Sequence, residues 1–447
     1  MTEEEMSALL KQADEAYEKE DYKEAFDLYK RIAEDGNAHA QDMLGDMYYY
    51  GEGVKQDYTK AFDWYEKSAC QDNRWAQYML GKMHYSGEGV EQNRTKAFEW
   101  YEKSATHGNA RAQCMLGCMY RDGIIVNQNY AKVIDWYEKS AEQGNYLAQY
   151  MLGTMYYNGE GIAQDYIKAF EWIEKSAKQD FPTAQAWLGT MYSNGKGVVR
   201  DYTKALEWYE KAANQGVATA QAWLGDMYYY GEGVEQDYSK AFEWYKKAAE
   251  QGVVAAQNNI AVIYERGNGV EASSTKAFEW YKKAAEQGFA ESQRNIGKMY
   301  YNGDGIEQDY NKAFKWSEKA AVQGNADAQN MLGIMYCNGE GIEQNYFKAF
   351  DWYKKSASQN NGHAQCNLGN MYYYGHGMEQ DYVKAFEWYE KPAKQGNPKA
   401  QCMLGIMYTK GQGVELNLGK AREWFEKAAE QGCVPATEYL EELNKIR

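Results

Sequence analysis

Apolar and polar residues follow a helical beat that restarts every 36 residues. Within 38–73, Ala40, Leu44 and Met47 with Tyr48 fall at i, i+4 and i+7/i+8, the apolar stripe of one amphipathic helix, helix A. Gly51 and Gly53 interrupt it, because two Gly one residue apart supply the positive φ that a helix interior disfavours. A second helix, helix B, is expected to start at Asp57. The same column reads Asp21, Asp57, Asn93, Asn129, Asp165, Asp201, Asp237, Ser273, Asp309, Asn345, Asp381 and Asn417, all short acceptors for the free N–H groups of a first turn. Ala61, Phe62, Trp64, Tyr65, Ser68 and Ala69 predict its buried stripe, with Trp filling the space between repeats. It should end at a column of Gly36, Asp72, Gly108, Gly144, Asp180, Gly216, Gly252, Gly288, Gly324, Asn360, Gly396 and Gly432, residue types that tolerate a left-handed C-cap. Pro182 and Pro398 fall in the first turn of a following helix A, where the missing N–H costs nothing. Pro392 falls inside helix B, and a kink or early end is expected there.

Trp64, Trp100, Trp136, Trp172, Trp208, Trp244, Trp280, Trp316, Trp352, Trp388 and Trp424 keep this register throughout, so the chain is one repeat array. Units of this length bury their apolar faces only by stacking, which predicts an all-α solenoid of antiparallel helix pairs, elongated and without sheet. Residues 1–36 are expected to form an N-terminal capping pair: two helices over 3–35 meet near Glu20 and Asp21, without a Gly-x-Gly loop and with Leu28 in place of Trp. Eleven repeats then fill 37–432. Residues 433–447 supply a C-terminal capping helix whose Glu438, Glu441, Glu442, Lys445 and Arg447 give it a polar outer face.

The run Ala-x-x-x-Leu-Gly-x-Met-Tyr-x-x-Gly-x-Gly-Val-x-x-Asp-x-x-Lys-Ala-Phe-x-Trp-Tyr-x-Lys-Ala-Ala-x-x-Gly resembles the Sel-one-like repeat (SLR) family over 37–432. The N-terminal segment, with Ala13, Ala16, Tyr17, Asp21, Tyr22, Ala25 and Tyr29, is similar to a tetratricopeptide repeat. The resemblance implies a right-handed superhelix acting as an adaptor for protein complexes. Some secreted, cysteine-rich members carry a disulfide in each repeat. The Cys residues here, at 70, 114, 118, 337, 366, 402 and 433, depart from that pattern.

Composition narrows the function. The chain has 447 residues, 44% apolar and 26% charged, with 4 Pro, so a core is affordable and disorder is excluded. A formal charge of −16 without any basic run argues against nucleic acid and favours partners with basic segments. No apolar run is long enough to span a membrane, and the acidic start Met1-Thr2-Glu3 is unlike a signal peptide. Seven Cys without CxxC pairs fit reduced thiols, and a cytoplasmic location is expected, with other secretion routes left open.

The columns that vary between repeats of helix A form one stripe, illustrated by His39, Asp42, Asp46, Tyr49 and Tyr50. By similarity to tetratricopeptide arrays it lines the concave face. Its candidate partner-binding residues are Tyr49, Tyr50, Trp75, Tyr78, Tyr85, Tyr150, Tyr157, Asn158, Asn194, Tyr229, Tyr230, Asn258, Arg266, Arg294, Lys298, Tyr301 and Asn302, since aromatics and Arg are the common anchors of protein interfaces. Asn158, Asn194, Asn302 and Asn338 share one column and either grip a peptide backbone or close helix A before its glycines. The exposed Tyr residues have inter-repeat packing as their alternative.

Enzymatic readings are weaker. Ser193-x-x-Lys196 and Ser273-x-x-Lys276 lack the companion motifs of penicillin-recognising enzymes, and Ser273 already serves as an N-cap. No strand precedes the Gly-x-Gly pairs, so they are not dinucleotide loops, and the loop at Asp304 lacks the terminal Glu of a calcium site. His107 with Cys114 and Cys118, and His363 with Cys366 and Cys402, offer three ligands each where zinc needs four. The expected function is a non-enzymatic, cofactor-free scaffold that binds a protein or extended peptide. The alternatives are an enzyme or metal-dependent regulator built on a Cys/His grouping, and a passive structural spacer.

Overall fold

The structure, a computed structural model, describes residues 1–445. Among them are 25 helices, α1 (Glu3–Glu18) to α25 (Val434–Lys445), and no strand. From α3 (Ala38–Tyr50) and α4 (Tyr58–Ala69) to α23 (Pro398–Lys410) and α24 (Leu418–Ala429), odd-numbered elements are A helices and even-numbered ones B helices, mostly 13 residues long. The chain divides into two compact units, residues 1–220 with 232–234, and residues 221–231 with the remainder. Within the first, each helix from α1 to α12 (Tyr202–Asn214) packs on the next. The second has the same succession from α14 (Tyr238–Glu250) to α25. Each is an all-α solenoid of repeats about 36 residues long.

The expected caps are present. Every member of the Asp21 column accepts a backbone N–H of its own first turn. Every member of the Gly36 column has positive φ, including the non-glycines Asp72, Asp180 and Asn360 at 60°, 59° and 63°. The Gly-x-Gly loops divide two duties. Gly51 closes α3 in the left-handed conformation. Gly53 lies so close to the previous B helix that a Cβ there would sit 2.1 Å from the Tyr22 carbonyl oxygen. Pro182 and Pro398 occupy the first turns of α11 (Pro182–Asn194) and α23.

Two expectations need correction. The Trp column does not fill the deepest space: Trp64 and Trp244 are half-buried, while the following Tyr65 and Tyr245 are fully buried. A Lys ammonium covers the Trp from the solvent side, Lys247 Nζ lying 3.9 Å from the Trp244 ring centre, a cation–π cover that suits the edge of a core. Pro392 does not end its helix early either. α22 (Tyr382–Lys394) runs on to Lys394, because Pro392 stands in the last turn and removes only one N–H donor. Elsewhere its column holds Ser or Ala; Ser68 Oγ donates to the Ala38 carbonyl at 2.7 Å, a bond that Pro392 cannot donate. Arg447, assigned to the C-terminal helix from sequence, lies outside the described residues.

Repeats are also tied by a buried Gln column that the sequence reading did not single out. Gln41 donates to the Ala33 carbonyl at 3.1 Å and accepts from Gln71 Nε2 at 2.8 Å, linking the B helix before it to the turn that closes the B helix after it. The link recurs at Gln113, Gln149, Gln185, Gln221, Gln257, Gln293, Gln329 and Gln401, each accepting from a Gln 30 residues later. At Gln77 the donor position is taken by His107 at 2.9 Å. Gln365, in the repeat that contains Pro392, has a buried Oε1 without a partner.

Candidate functional site

The varying columns of the A helices do form a face, and clefts open on it across successive A helices. One, of about 240 Å³, is lined by Tyr78 of α5 (Arg74–Ser86), Arg111 and Cys114 of α7 (Ala110–Asp122), and Tyr146 of α9 (Tyr146–Asn158). A second, also about 240 Å³, is lined by Tyr229 and Tyr230 of α13 (Ala218–Tyr230), Asn258 and Arg266 of α15 (Val254–Arg266), and Glu291 of α17 (Ala290–Asn302). The third, about 250 Å³, has Asn330 of α19 (Ala326–Asn338), His363, Cys366 and Asn367 of α21 (Gly362–Tyr374), and Lys399 of α23. A larger cleft of about 610 Å³ lies away from this face, between Phe347 and Phe350 of α20 (Tyr346–Ser358) and the Met378 loop.

Near the N-terminus the candidate residues converge on two carboxylates. Asp46 accepts from the Tyr65 hydroxyl at 2.5 Å and from Trp75 Nε1 at 3.1 Å. Burial raises its pKa, and those two bonds oppose the rise. One turn earlier, Asp42 is buried and pushed up to about 8, first by burial and then by the charge of Asp46, against a bond from Asn73. Trp75 packs on Tyr78 at 5.4 Å between ring centres, and the Arg111 guanidinium lies 5.1 Å from the Trp75 ring centre. Neither Asp46 nor Arg111 was selected from the sequence as an anchor; their roles depend on contacts 29 and 36 residues away.

Several candidates are committed to packing between repeats. Tyr49 is buried and donates to Glu88 Oε2 at 2.5 Å, and Tyr301 donates to Glu340 at 2.7 Å. Tyr157 packs edge-on to Trp187, Tyr150 to Phe181, and Tyr229 accepts from Arg266 at 3.3 Å. Asn258 is buried and accepts from Ser292 at 2.8 Å, so it presents little to a partner. Asn158, Asn194 and Asn302 are exposed at the last helical position, with the C-cap supplied by the glycine after each. Asn302 donates within its own loop to Asp304 at 3.0 Å. Arg294 is half-buried with its Nε unpartnered and Lys298 is exposed, but no contact joins them to Tyr301 and Asn302 as one cluster. The exposed aromatics of the A helices are Tyr230, Tyr374, Tyr50, 52% exposed, Tyr146 and Tyr85, of which sequence reading left out Tyr374 and Tyr146.

The Cys/His groupings come apart. His107 serves the Gln column rather than Cys114 and Cys118. His363 and Cys366 share a cleft, but Cys402 lies instead against Cys433 in the C-terminal core. Among the described residues, no three His, Cys, Asp or Glu side chains are grouped to hold a metal ion, and no helix is long and apolar enough to cross a membrane.

Stacked helix pairs with capped, glycine-closed loops and a variable A-helix face define an α-solenoid repeat protein. The Sel1 repeat matches residues 14–37, 38–73, 76–109, 110–145, 147–181, 182–217, 218–253, 254–289, 290–325, 326–361, 362–397 and 398–433, and the chain belongs to that family. Its fold is similar to that of c5321, a protective antigen of uropathogenic Escherichia coli strains displaying an SLR fold, at 37% identity and a TM-score of 0.87, covering 94% of this chain and 91% of that one. A Sel1 repeat protein from Oxalobacter formigenes is 33% identical with a TM-score of 0.54, covering 69% of this chain and 90% of that one. Comparison with curated proteins gave no match.

Proposed function

We propose that this chain is a non-enzymatic scaffold that binds a protein or extended peptide along the variable face of its A helices. The observation that carries the reading is the recurrence of clefts on that one face, in both units, each spanning three successive A helices. A groove built this way accepts an extended segment across several repeats, with exposed aromatics as anchors that lose little side-chain entropy on binding. The formal charge of −16 favours partners with basic segments, chiefly through association rate and more strongly at low salt. A cytoplasmic location and capping roles for residues 1–36 and 433–447 fit this reading.

The test is selection of binding peptides from a randomised display library on the intact chain, followed by titration of the best peptide. Tyr50→Ala combined with Tyr374→Ala removes only exposed rings, so helicity and melting should hold. The same double variant should weaken binding at least tenfold, about 1.4 kcal/mol. Unchanged affinity would move the site off this face.

A further inference from the structure

Cys118 stands where four other repeats place the acceptor for their buried tyrosine. The Tyr65, Tyr209, Tyr245 and Tyr389 hydroxyls donate to Asp46, Thr190, Asp226 and Asn370, each 19 residues earlier. Tyr137 does the same to Cys118 Sγ at 3.3 Å, so a sulfur occupies the slot that those four repeats fill with oxygen. Cys114, one turn before it on α7, is buried, and the neighbouring Cys118 and burial push its thiol up, so it keeps its proton. The Arg121 guanidinium is on the next turn, anchored by Asp122 at 3.3 Å and by Met151 of α9 at 3.2 Å. Cys114, Tyr137 and Arg121 all favour a thiolate at Cys118, while burial and the Asp122 charge oppose it; the hydrogen bonds prevail and its pKa falls. Cys118 is nevertheless half-buried and reachable, unlike Cys366, which burial pushes up to about 12.

We propose that Cys118 is a thiol-modification site that exchanges with small disulfides, with Cys114, Tyr137 and Arg121 as its positioning residues. The Cys118 thiolate attacks one sulfur of the small disulfide, forming a mixed disulfide and breaking the incoming S–S bond. The departing sulfur leaves as a thiolate and takes a proton from water. Cys118 is thereby oxidised and the departing sulfur reduced, so no further oxidant is needed. Cys114 is not the exchange partner. Residues four apart on an intact helix keep their Cβ atoms about 5–6 Å apart, whereas a disulfide needs about 3.5–4.5 Å, and α7 is continuous from Ala110 to Asp122.

The intact protein is treated with 2,2′-dithiodipyridine at pH 6 and pH 9, and the rate at each Cys is read by peptide mass mapping. At pH 6 Cys118 should react on the order of tenfold faster than the exposed Cys70, and the advantage should vanish at pH 9, where more thiols ionise and the weaker intrinsic nucleophilicity of a stabilised thiolate tells. Tyr137→Phe keeps the ring and removes the donor. It should slow Cys118 several-fold at pH 6 and little at pH 9. If that variant does not fold, Cys114→Ala supplies the same comparison. Faster reaction of Cys70 at pH 6, or an equal effect of the donor-removing variant at both pH values, would overturn the proposal.

Discussion

Gly45 faces the ring of Tyr65 so closely that a Cβ at position 45 would lie 2.5 Å from both Cδ1 and Cε1. The same pairing recurs at Gly81 with Tyr101, Gly189 with Tyr209 and Gly333 with Tyr353. A glycine in mid-helix weakens the helix by roughly 1 kcal/mol relative to Ala, yet here it lets a fully buried ring of the B helix lie flat against the A-helix backbone. Gly45→Ala should therefore destabilise by about 1–3 kcal/mol through overpacking, despite better helix propensity. Ala261 is the chain's own exception, and its partner Tyr281 sends its hydroxyl to Glu265 at 2.7 Å, 16 residues back rather than 19. Denaturant unfolding of Gly45→Ala checks the point; a stabilised variant would show that the ring moves aside at no cost.

The residue that follows each Trp of the column, Tyr in eight of the eleven repeats, should matter more than the Trp. Tyr245 is fully buried and donates to Asp226 at 2.6 Å, so Tyr245→Ala should cost about 3–5 kcal/mol. Trp244→Ala removes a half-buried ring and its Lys247 cover, and about 1–2 kcal/mol is expected. Stability in a solenoid resides in nearest-neighbour interfaces, so hydrogen exchange should localise both losses to the repeats around α14. Equal losses would restore the Trp column as the main filler.

The buried Gln column should behave as a structural bond rather than a surface position. Gln149 donates to the Ala141 carbonyl at 3.0 Å and accepts from Gln179 at 2.8 Å. Gln149→Ala leaves a buried carbonyl without its donor, and a loss of about 1–3 kcal/mol is expected in thermal or denaturant unfolding. A neutral result would mean that water replaces the bonds.

Much of the fold was legible because its signals are local. Caps at Asp57 and Asp72 depend on residues within one turn, and the 36-residue register of the Trp residues gave the stacking. Burial depth was less legible: Trp and Tyr are adjacent, and only the approach of Gly45 decides which ring goes deeper. Gln41 reads as an exposed helical polar residue, although its recurrence in every repeat was an available signal. The sequence picks out the varying columns of the A helices, but not which of their side chains are tied into contacts between repeats. Tyr49 and Tyr50 are neighbours, yet one is tied to Glu88 and the other is exposed, because the bonding partner lies 39 residues away.

The Asp42 carboxyl sets a pH dependence for the N-terminal repeats. Its pKa is raised to about 8 by burial and by Asp46, whereas an unfolded Asp titrates near about 3.9. Between those values the folded state holds a proton that the unfolded chain has released, so stability falls as pH rises through this window. Asp46 is raised as well and adds to the same trend. One Asp42 oxygen, Oδ1, is buried without a partner, so ionisation adds charge with no counterion in contact. Asp42→Asn keeps the shape and removes the charge. It should stabilise the segment from α3 to α5 on the order of 1–3 kcal/mol at pH 7.5 and change little at pH 4.5. Hydrogen exchange in those helices at the two pH values reads both arms. A variant that loses stability at pH 7.5 would show that the ionised carboxylate is accommodated, and would place the pH sensitivity of this region elsewhere.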